Sequence, residues 1–281
     1  MAKALCLLYT VWGMNWVVMR LANNYFSPAM FVTYRFGVGA LVLLMVAAYC
    51  RLPLPDRRFW PWIAVTGILQ IALNNIIVQI CITPLGSGLS AVINYTMPMW
   101  VAILAQFFLG EKLSLRKIGG ILLSLGGLCI LLKADVSGDI GPMLLALFGA
   151  FLWAAANIIY KKKLTECNVT AYNTWQMTVG ALVLMTISVS TGQDLGIWTW
   201  ESVACVAYNG VLASALAFFL WSYILKHMEA GKASVSILAV PVVGVLGGAA
   251  LLGEPLTASS VGGMALILGG ILLVVRQSAE G

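Results

Sequence analysis

Between Phe59 and Gly110 the chain runs 52 residues without one Asp, Glu, Lys or Arg. A helix crosses a hydrocarbon core in about 20 residues, so this interval has room for two crossings. The helix-breaking run Pro84-Leu85-Gly86-Ser87-Gly88 marks the turn between them. Other charge-free windows lie at 4–19, 36–50, 118–132, 140–160, 167–193, 202–225, 233–253 and 255–275. Together they predict ten spans, near 4–22, 29–50, 60–82, 87–109, 117–133, 142–161, 170–191, 202–225, 232–252 and 258–275. Charged residues are 9% of the chain, against about 25% in soluble domains, too few to wet a globular surface. Barrel strands would read as alternating segments of about ten residues. The expected fold class is therefore an all-α polytopic membrane protein. Six scattered cysteines, mostly inside apolar runs, exclude a disulfide-built secreted scaffold. The first window is one of a series with no basic head beyond Lys3, unlike a cleaved signal peptide.

Sidedness follows from the basic residues. Arg51, Arg57 and Arg58 follow the second span, Lys112, Arg116 and Lys117 the fourth, and Lys161, Lys162 and Lys163 the sixth. Lys226 and Lys232 flank the turn after the eighth, and Lys3 and Arg276 lie near the termini. Thus 13 of 16 basic residues fall on one side, with Lys133 opposite and Arg20 and Arg35 within or beside helices. The positive-inside rule makes both termini of the multi-pass chain cytoplasmic. The net charge of +6 is accordingly a topology signal, with no nucleic acid implied.

An offset of 143 brings two stretches into register: Gly88 on Gly231, Pro98 on Pro241, Gly110-Glu111 on Gly253-Glu254 and Leu113 on Leu256. Gly119-Gly120 then meets Gly262-Gly263, and Gly126-Gly127 meets Gly269-Gly270. The chain reads as two copies of a five-helix unit, residues 1–137 and 138–281. An odd helix number inverts one copy against the other across the bilayer. The turn containing Arg116 and Lys117 matches Ser259 and Ser260 in the second copy, as opposite sidedness requires. Inverted repeats of this kind recur in secondary transporters, whose substrate sites lie at the repeat interface near midplane.

The duplicated pattern P-x(11)-G-E-x-L, present as Pro98…Gly110-Glu111-Lys112-Leu113 and Pro241…Gly253-Glu254-Pro255-Leu256, resembles the drug/metabolite transporter superfamily and its EamA branch. Asn94-Tyr95-x-x-Pro98 is similar to the fourth helix of bacterial aromatic amino acid exporters in that branch. The resemblance implies export of amino acids or similar metabolites by alternating access. It also implies that the fourth and ninth helices line a central cavity and that the fifth and tenth stand at the periphery. A permease for another metabolite or a drug, and a scaffold or sensor without flux, remain the alternatives.

Polar side chains inside a bilayer face a cavity or a partner helix. At about 100° per residue, Trp12, Asn15, Trp16 and Met19 share one face of the first helix, and Trp153, Asn157 and Tyr160 one face of the sixth. In the third helix Gln70 groups with Asn74, and Asn75 with Gln79, the two pairs roughly 140° apart. One pair is expected at the cavity and the other at a neighbouring helix. Asn94 and Tyr95 stand beside Pro98, and Pro98 and Pro241 are the expected hinges, since each removes a backbone donor. Arg35 needs an acceptor, either a carbonyl or a substrate carboxylate, unless it snorkels to water from its place near the non-cytoplasmic end. Tyr34, Tyr172, Trp175, Gln176, Tyr208 and Phe219 complete an aromatic and amide set suited to flat apolar substrates.

His227 lies in a basic turn, the glycine pairs of the fifth and tenth helices suit close packing or a homodimer, and Asn168-Val169-Thr170 faces the cytoplasm. No span holds a mid-helix carboxylate, a His/Cys cluster or a Ser-His-Asp set, so neither enzyme chemistry nor a cofactor or metal is expected. The same pattern favours facilitated diffusion or exchange over obligate proton coupling.

Overall fold

The computed structural model describes residues 1–131, 140–252 and 256–276. Lys133, the copy boundary expected at 137–138 and the expected turn Gly253-Glu254-Pro255 lie outside the described residues. Among the described residues ten helical spans follow one another: α1 (Ala2–Ala22), α2 (Pro28–Tyr49), α3 (Arg57–Gly86), α4 (Gly88–Leu109), α5 (Leu115–Leu131), α6 (Ile140–Lys163), α7 (Val169–Ser190), α8 (Trp200–His227), α9 (Ala230–Ser236 and Ala239–Leu252) and α10 (Ala258–Arg276). The expected spans match these to within a few residues, save that α3 is longer at both ends. Six of them, α1 to α4, α6 and α8, are long and apolar enough to cross a membrane. α7 has the length but carries Asn173, Thr174, Gln176 and Thr178, all facing inward in whole or part.

Local chemistry sets the helix ends. Ser27 accepts from the Met30 amide and Asn168 from the Ala171 amide, capping α2 and α7, while Pro28 occupies the first turn of α2, where no amide is needed. Gly86 adopts φ 72°, ψ 163° at the α3–α4 turn, and Gly110 ends α4 at φ 72° with its amide on the Ala105 carbonyl.

Two features depart from plain α-helix. The turns Gly67–Asn74 in α3 and Tyr208–Leu216 in α8 are π-helical, and Gly67 and Gly210 are 143 residues apart in sequence. α4 and α9 are interrupted just ahead of their prolines: α4 at Tyr95-Thr96 before Met97-Pro98, and α9 at Ile237-Leu238 before Ala239-Val240-Pro241. Pro98 therefore begins a helical segment instead of bending one, and the cost of its missing donor is avoided.

Glycine sets the closest packing. α5 and α10 run antiparallel: a Cβ on Gly120 would stand 2.6 Å from the Gly270 carbonyl oxygen, and one on Gly127 would stand 2.7 Å from that of Gly263. Ser124 adds a hydrogen bond to the Ile267 carbonyl. One member of each glycine pair is thus used within the chain, while Gly119, Gly126 and Gly262 face open space. α2 and α7 also pack on each other, and each closes on a π segment, α2 on that of α8 and α7 on that of α3. A Cβ on Gly39 would meet Gly210 O and Ser214 Cβ at 3.1 Å, and one on Gly180 would meet Gly67 O at 2.9 Å and abut Ile71.

Candidate functional site

The face of α1 that carries Trp12, Asn15, Trp16 and Met19 borders a cavity of about 50 Å³ in the half of the bundle holding the α1 C-terminus and the α2 N-terminus. Arg35 of α2, Asn74, Asn75 and Val78 of α3, Asn94 and Tyr95 of α4, Trp153 of α6 and Phe218 of α8 complete the wall. Asn94 and Tyr95 reach it because α4 is interrupted there. Tyr95 is held by the Trp16 indole N–H at 3.2 Å. Neighbouring residues of a regular helix diverge by about 100°, yet Asn74 and Asn75 share the cavity. The π turn that ends at Asn74 alters the angular count, and the Asn75 side-chain Nδ2 donates to the Gln70 backbone carbonyl at 2.7 Å. π segments of this kind cluster at functional sites.

Arg35 is 3% exposed, so it does not snorkel. Its Nε donates to Ser214 Oγ at 2.8 Å, Nη1 approaches Met19 Sδ at 3.6 Å, and the guanidinium lies 4.7 Å from the Phe36 ring centre. All three partners are neutral. Asn15, Asn74 and Asn94 each leave a buried Oδ1 without a hydrogen-bond partner, and the Trp153 indole N–H is unpartnered as well.

Aromatic rings close the cavity floor. Trp12 meets Trp153, Phe218 and Trp221 at centroid separations of 5.8, 5.6 and 6.2 Å, and Trp153 meets Trp221 at 6.1 Å. Each such pair contributes about 0.5–1.5 kcal/mol beyond its buried area. Trp12 Nε1 donates to the Ala213 carbonyl, an acceptor in the π turn of α8. Asn157 lies beyond this floor, accepting from Trp221 Nε1 at 3.0 Å, and Tyr160 stacks on Tyr172 at 4.6 Å. At the far mouth the Glu111 carboxylate accepts from the Ala230 and Gly231 amides at 2.7 and 3.0 Å and from Lys117 Nζ at 3.2 Å. Lys161 Nζ donates to the carbonyls of Leu225, Lys226 and Met228. An acid on the first turn of α9 and a base on the last turn of α8 each complement the helix dipole.

The cavity therefore gathers Trp12, Asn15, Trp16, Arg35, Asn74, Asn75, Asn94, Tyr95 and Trp153, and leaves other expected residues elsewhere. Gln79 donates to Met19 O at 3.1 Å and to Asn23 Oδ1 at 2.6 Å, joining α3 to α1. Gln176 donates to Gln70 Oε1 at 2.9 Å, joining α7 to α3. The third-helix amides thus divide one from each expected pair, because the π turn breaks the regular spacing. Tyr208 OH donates to the Val11 carbonyl at 2.6 Å, and Tyr34 OH to the Leu195 carbonyl at 3.1 Å beside Phe26 and Trp198. Trp175 packs on Trp60 at 5.0 Å, and Phe219 lines an outer groove with Val42, Val46 and Leu212. Phe218 and Val78 are wall residues that sequence reasoning missed. The 143 offset, which sets Phe218 against Asn75, is the signal that could have found the first. Among the described residues no three His, Cys, Asp or Glu side chains come together as metal ligands.

A helical bundle with a buried polar-aromatic cavity between its helices has the architecture of a membrane transporter. The EamA-like transporter family model matches residues 2–133 and 141–276, and the chain belongs to that family. The "Uncharacterized transporter YoaV" of Bacillus subtilis is 27% identical, with 94% of this chain and 92% of that protein covered. The "Probable amino-acid metabolite efflux pump" of Salmonella typhimurium is 25% identical, over 96% of this chain and 92% of its own length. A crystal structure 18% identical in sequence superposes with a TM-score of 0.79 over 100% of this chain and 99% of the other, a likeness of fold. The chain is a multi-pass transporter of the cell membrane and not an enzyme.

Proposed function

We propose that the protein exports amino acids, aromatic or otherwise apolar ones, by alternating access between two inverted five-helix copies, with both termini in the cytoplasm. The observation that carries this reading is a cavity whose wall joins α1–α4 to α6 and α8 and combines indole rings with unpartnered amides. Rings favour flat apolar side chains, and amide dipoles suit a zwitterion. The efflux pump among the relatives supports the direction.

Matched contacts support the inverted copies. At the 143 offset the contact Gly120–Gly270 maps onto Gly263–Gly127, and both are made. α2 and α7 align at 141, where Ser27 meets Asn168 and Gly39 meets Gly180. Gly39 against Gly210 and Ser214 then corresponds to Gly180 against Gly67 and Ile71. With the basic turns cytoplasmic, the cavity lies in the outer half, and the aromatic floor and the Glu111 and Lys161 contacts close the inner half. Ligand pockets occupy roughly 300–1,000 Å³, well above this cavity's 50 Å³, so loading requires the wall to open. Asn157 and Tyr160, now packed, would line the inner half in the opposite state, with Pro98 and Pro241 as hinge points.

The test is counterflow in proteoliposomes at equal pH on both sides. Labelled phenylalanine, tyrosine or tryptophan is expected to exchange, with glutamate and lysine competing poorly. Failure of every amino acid would reject the substrate, and flux only under an imposed pH difference would reject uncoupled transport.

A further inference from the structure

Among the described residues that line the cavity there is one fixed positive charge, on Arg35, and no counter-charge. Arg35 cannot lose its proton at ordinary pH, and its partners are a hydroxyl, a thioether and a ring. Among the described residues no carboxylate is ion-paired with it. A buried charge without a partner is costly, and so is a buried amide oxygen without a donor. The same wall carries three such oxygens, on Asn15, Asn74 and Asn94, each in a residue at most 6% exposed. These deficits are complementary in sign. An anion relieves Arg35 and the Trp153 N–H, whereas the amide oxygens need hydrogen-bond donors.

We propose that Arg35 and the three amide oxygens form a two-ended site for an α-amino acid zwitterion. The carboxylate would accept from the Arg35 guanidinium, and the ammonium would donate to Asn15, Asn74 and Asn94. This rests on the reading that amino acids are the cargo, and adds how they are recognised. An ammonium has three N–H donors, equal to the number of orphaned oxygens. Guanidinium offers a planar fork that fits a carboxylate in two parallel bonds. With both ends held, the side chain of the substrate is left to Trp12, Trp16 and Phe218. A molecule with one end missing leaves either Arg35 or the amides unmet, so discrimination falls on the pair of charges and not on either alone.

The experiment uses the full-length protein in lipid nanodiscs, with its own tryptophan fluorescence as the reporter, since Trp12, Trp16 and Trp153 border the cavity. The probes are L-phenylalanine, L-phenylalaninamide, which lacks the carboxylate, and 3-phenylpropionate, which lacks the ammonium. Phenylalanine is expected to bind about 10- to 100-fold more tightly than either analogue, the range for hydrogen bonds to charged groups. In Arg35→Gln its affinity should fall to that of phenylalaninamide, whose own affinity should not fall. In Asn74→Leu or Asn94→Leu it should fall toward that of 3-phenylpropionate. Arg35→Gln removes an unpaired buried charge, so its melting temperature should not drop. If it does, Arg35→Lys and the analogue series on the unmodified protein decide. Equal binding of all three probes, which would mean that water serves the amides, overturns the proposal. So does an unchanged ratio of phenylalanine to amide in Arg35→Gln. Counterflow separates the two claims: amino acid exchange with an unchanged ratio rejects only the two-ended site. No amino acid exchange alongside flux of another metabolite rejects the cargo as well.

Discussion

Replacing Glu111 by Gln should open the inner half of the protein, and the structure sets the size of the effect. The Glu111 and Lys117 side chains are 12% and 7% exposed, so solvent screens their interaction little. Gln keeps the shape and one carbonyl acceptor, but weakens the bonds from the Ala230 and Gly231 amides and strands the Lys117 ammonium. Removing one partner of a buried pair costs about 3–5 kcal/mol. Part of that is recovered if Lys117 turns to water, which leaves about 3 kcal/mol. These contacts bridge the α4–α5 turn to α9, so under the proposed alternating access they are made only in the inward-closed state. The loss therefore falls on the closed state, and about 3 kcal/mol is a shift of roughly 100-fold toward the open one. The assay places a cysteine at Asn157, 1% exposed behind the Trp221 indole, in a background lacking the six native cysteines. Inside-out vesicles are then treated with an impermeant maleimide. Labelling should be slow with Glu111 present and at least tenfold faster in Glu111→Gln. Glu111→Gln with Lys117→Met removes the stranded charge, and should recover thermal stability while staying reactive at position 157. Equal labelling rates with and without Glu111, in proteins of equal stability, would refute the latch.

Three further outcomes are expected. Cysteines at Glu166 and tags at either terminus should react only from the cytoplasm, and modification of Glu166→Cys in intact cells by an impermeant reagent would invert the topology. Gly120→Ala should destabilise by about 1–3 kcal/mol, because its Cβ meets the Gly270 carbonyl, whereas Gly119→Ala meets nothing within 4 Å; thermal melts in detergent compare the two. Asn157→Leu should lower the melting temperature by leaving the Trp221 N–H unmet, at about 1–3 kcal/mol, while Asn15→Leu should lower flux with little loss of stability, its Oδ1 having no partner.

Helix number and placement were legible in the sequence because the bilayer imposes a coarse rule: about 20 residues without charge. The turn at Gly86 was legible for a similarly local reason, since Gly and Pro act on their own backbone. The interruptions ahead of Pro98 and Pro241 were not: the sequence suggested bends at the prolines within continuous spans. The cavity wall was legible only where the helix stayed regular. A constant 100° per residue sets Trp12, Asn15, Trp16 and Met19 on one face, and all four border the cavity; it separates Asn74 from Asn75, which border the cavity together after one π turn. Nothing in Gly67-Ile68-Leu69-Gln70 announces that turn. It goes with Gly67 closing on the Gln176 carbonyl, where a Cβ would stand 2.7 Å away, a contact between helices far apart in sequence. Glu111 was visible as half of a repeated Gly-Glu motif, but its partners are amides of α9, and backbone amides leave no mark in a sequence.

Setting the two proposed copies in register separates matched packing positions from unmatched cavity positions. The frame is matched: Gly120 and Gly127 answer Gly263 and Gly270, Gly39 answers Gly180, Gly67 answers Gly210, and both π turns begin within a few residues of those glycines. The wall is not. Arg35 stands where the second copy has Gln176, Asn75 where it has Phe218, and Asn74 where it has Ala217. A symmetric wall would put equal chemistry at both ends of the proposed site and could not orient the proposed zwitterion. Unequal substitution on an equal frame leaves one cation on α2, unpartnered amide oxygens on α1, α3 and α4, and aromatic rings in the same wall. Relatives sharing the glycine frame but differing at these unmatched positions should therefore share the fold and differ in cargo, which explains how one family at 25–27% identity covers this chain from end to end without fixing what it carries.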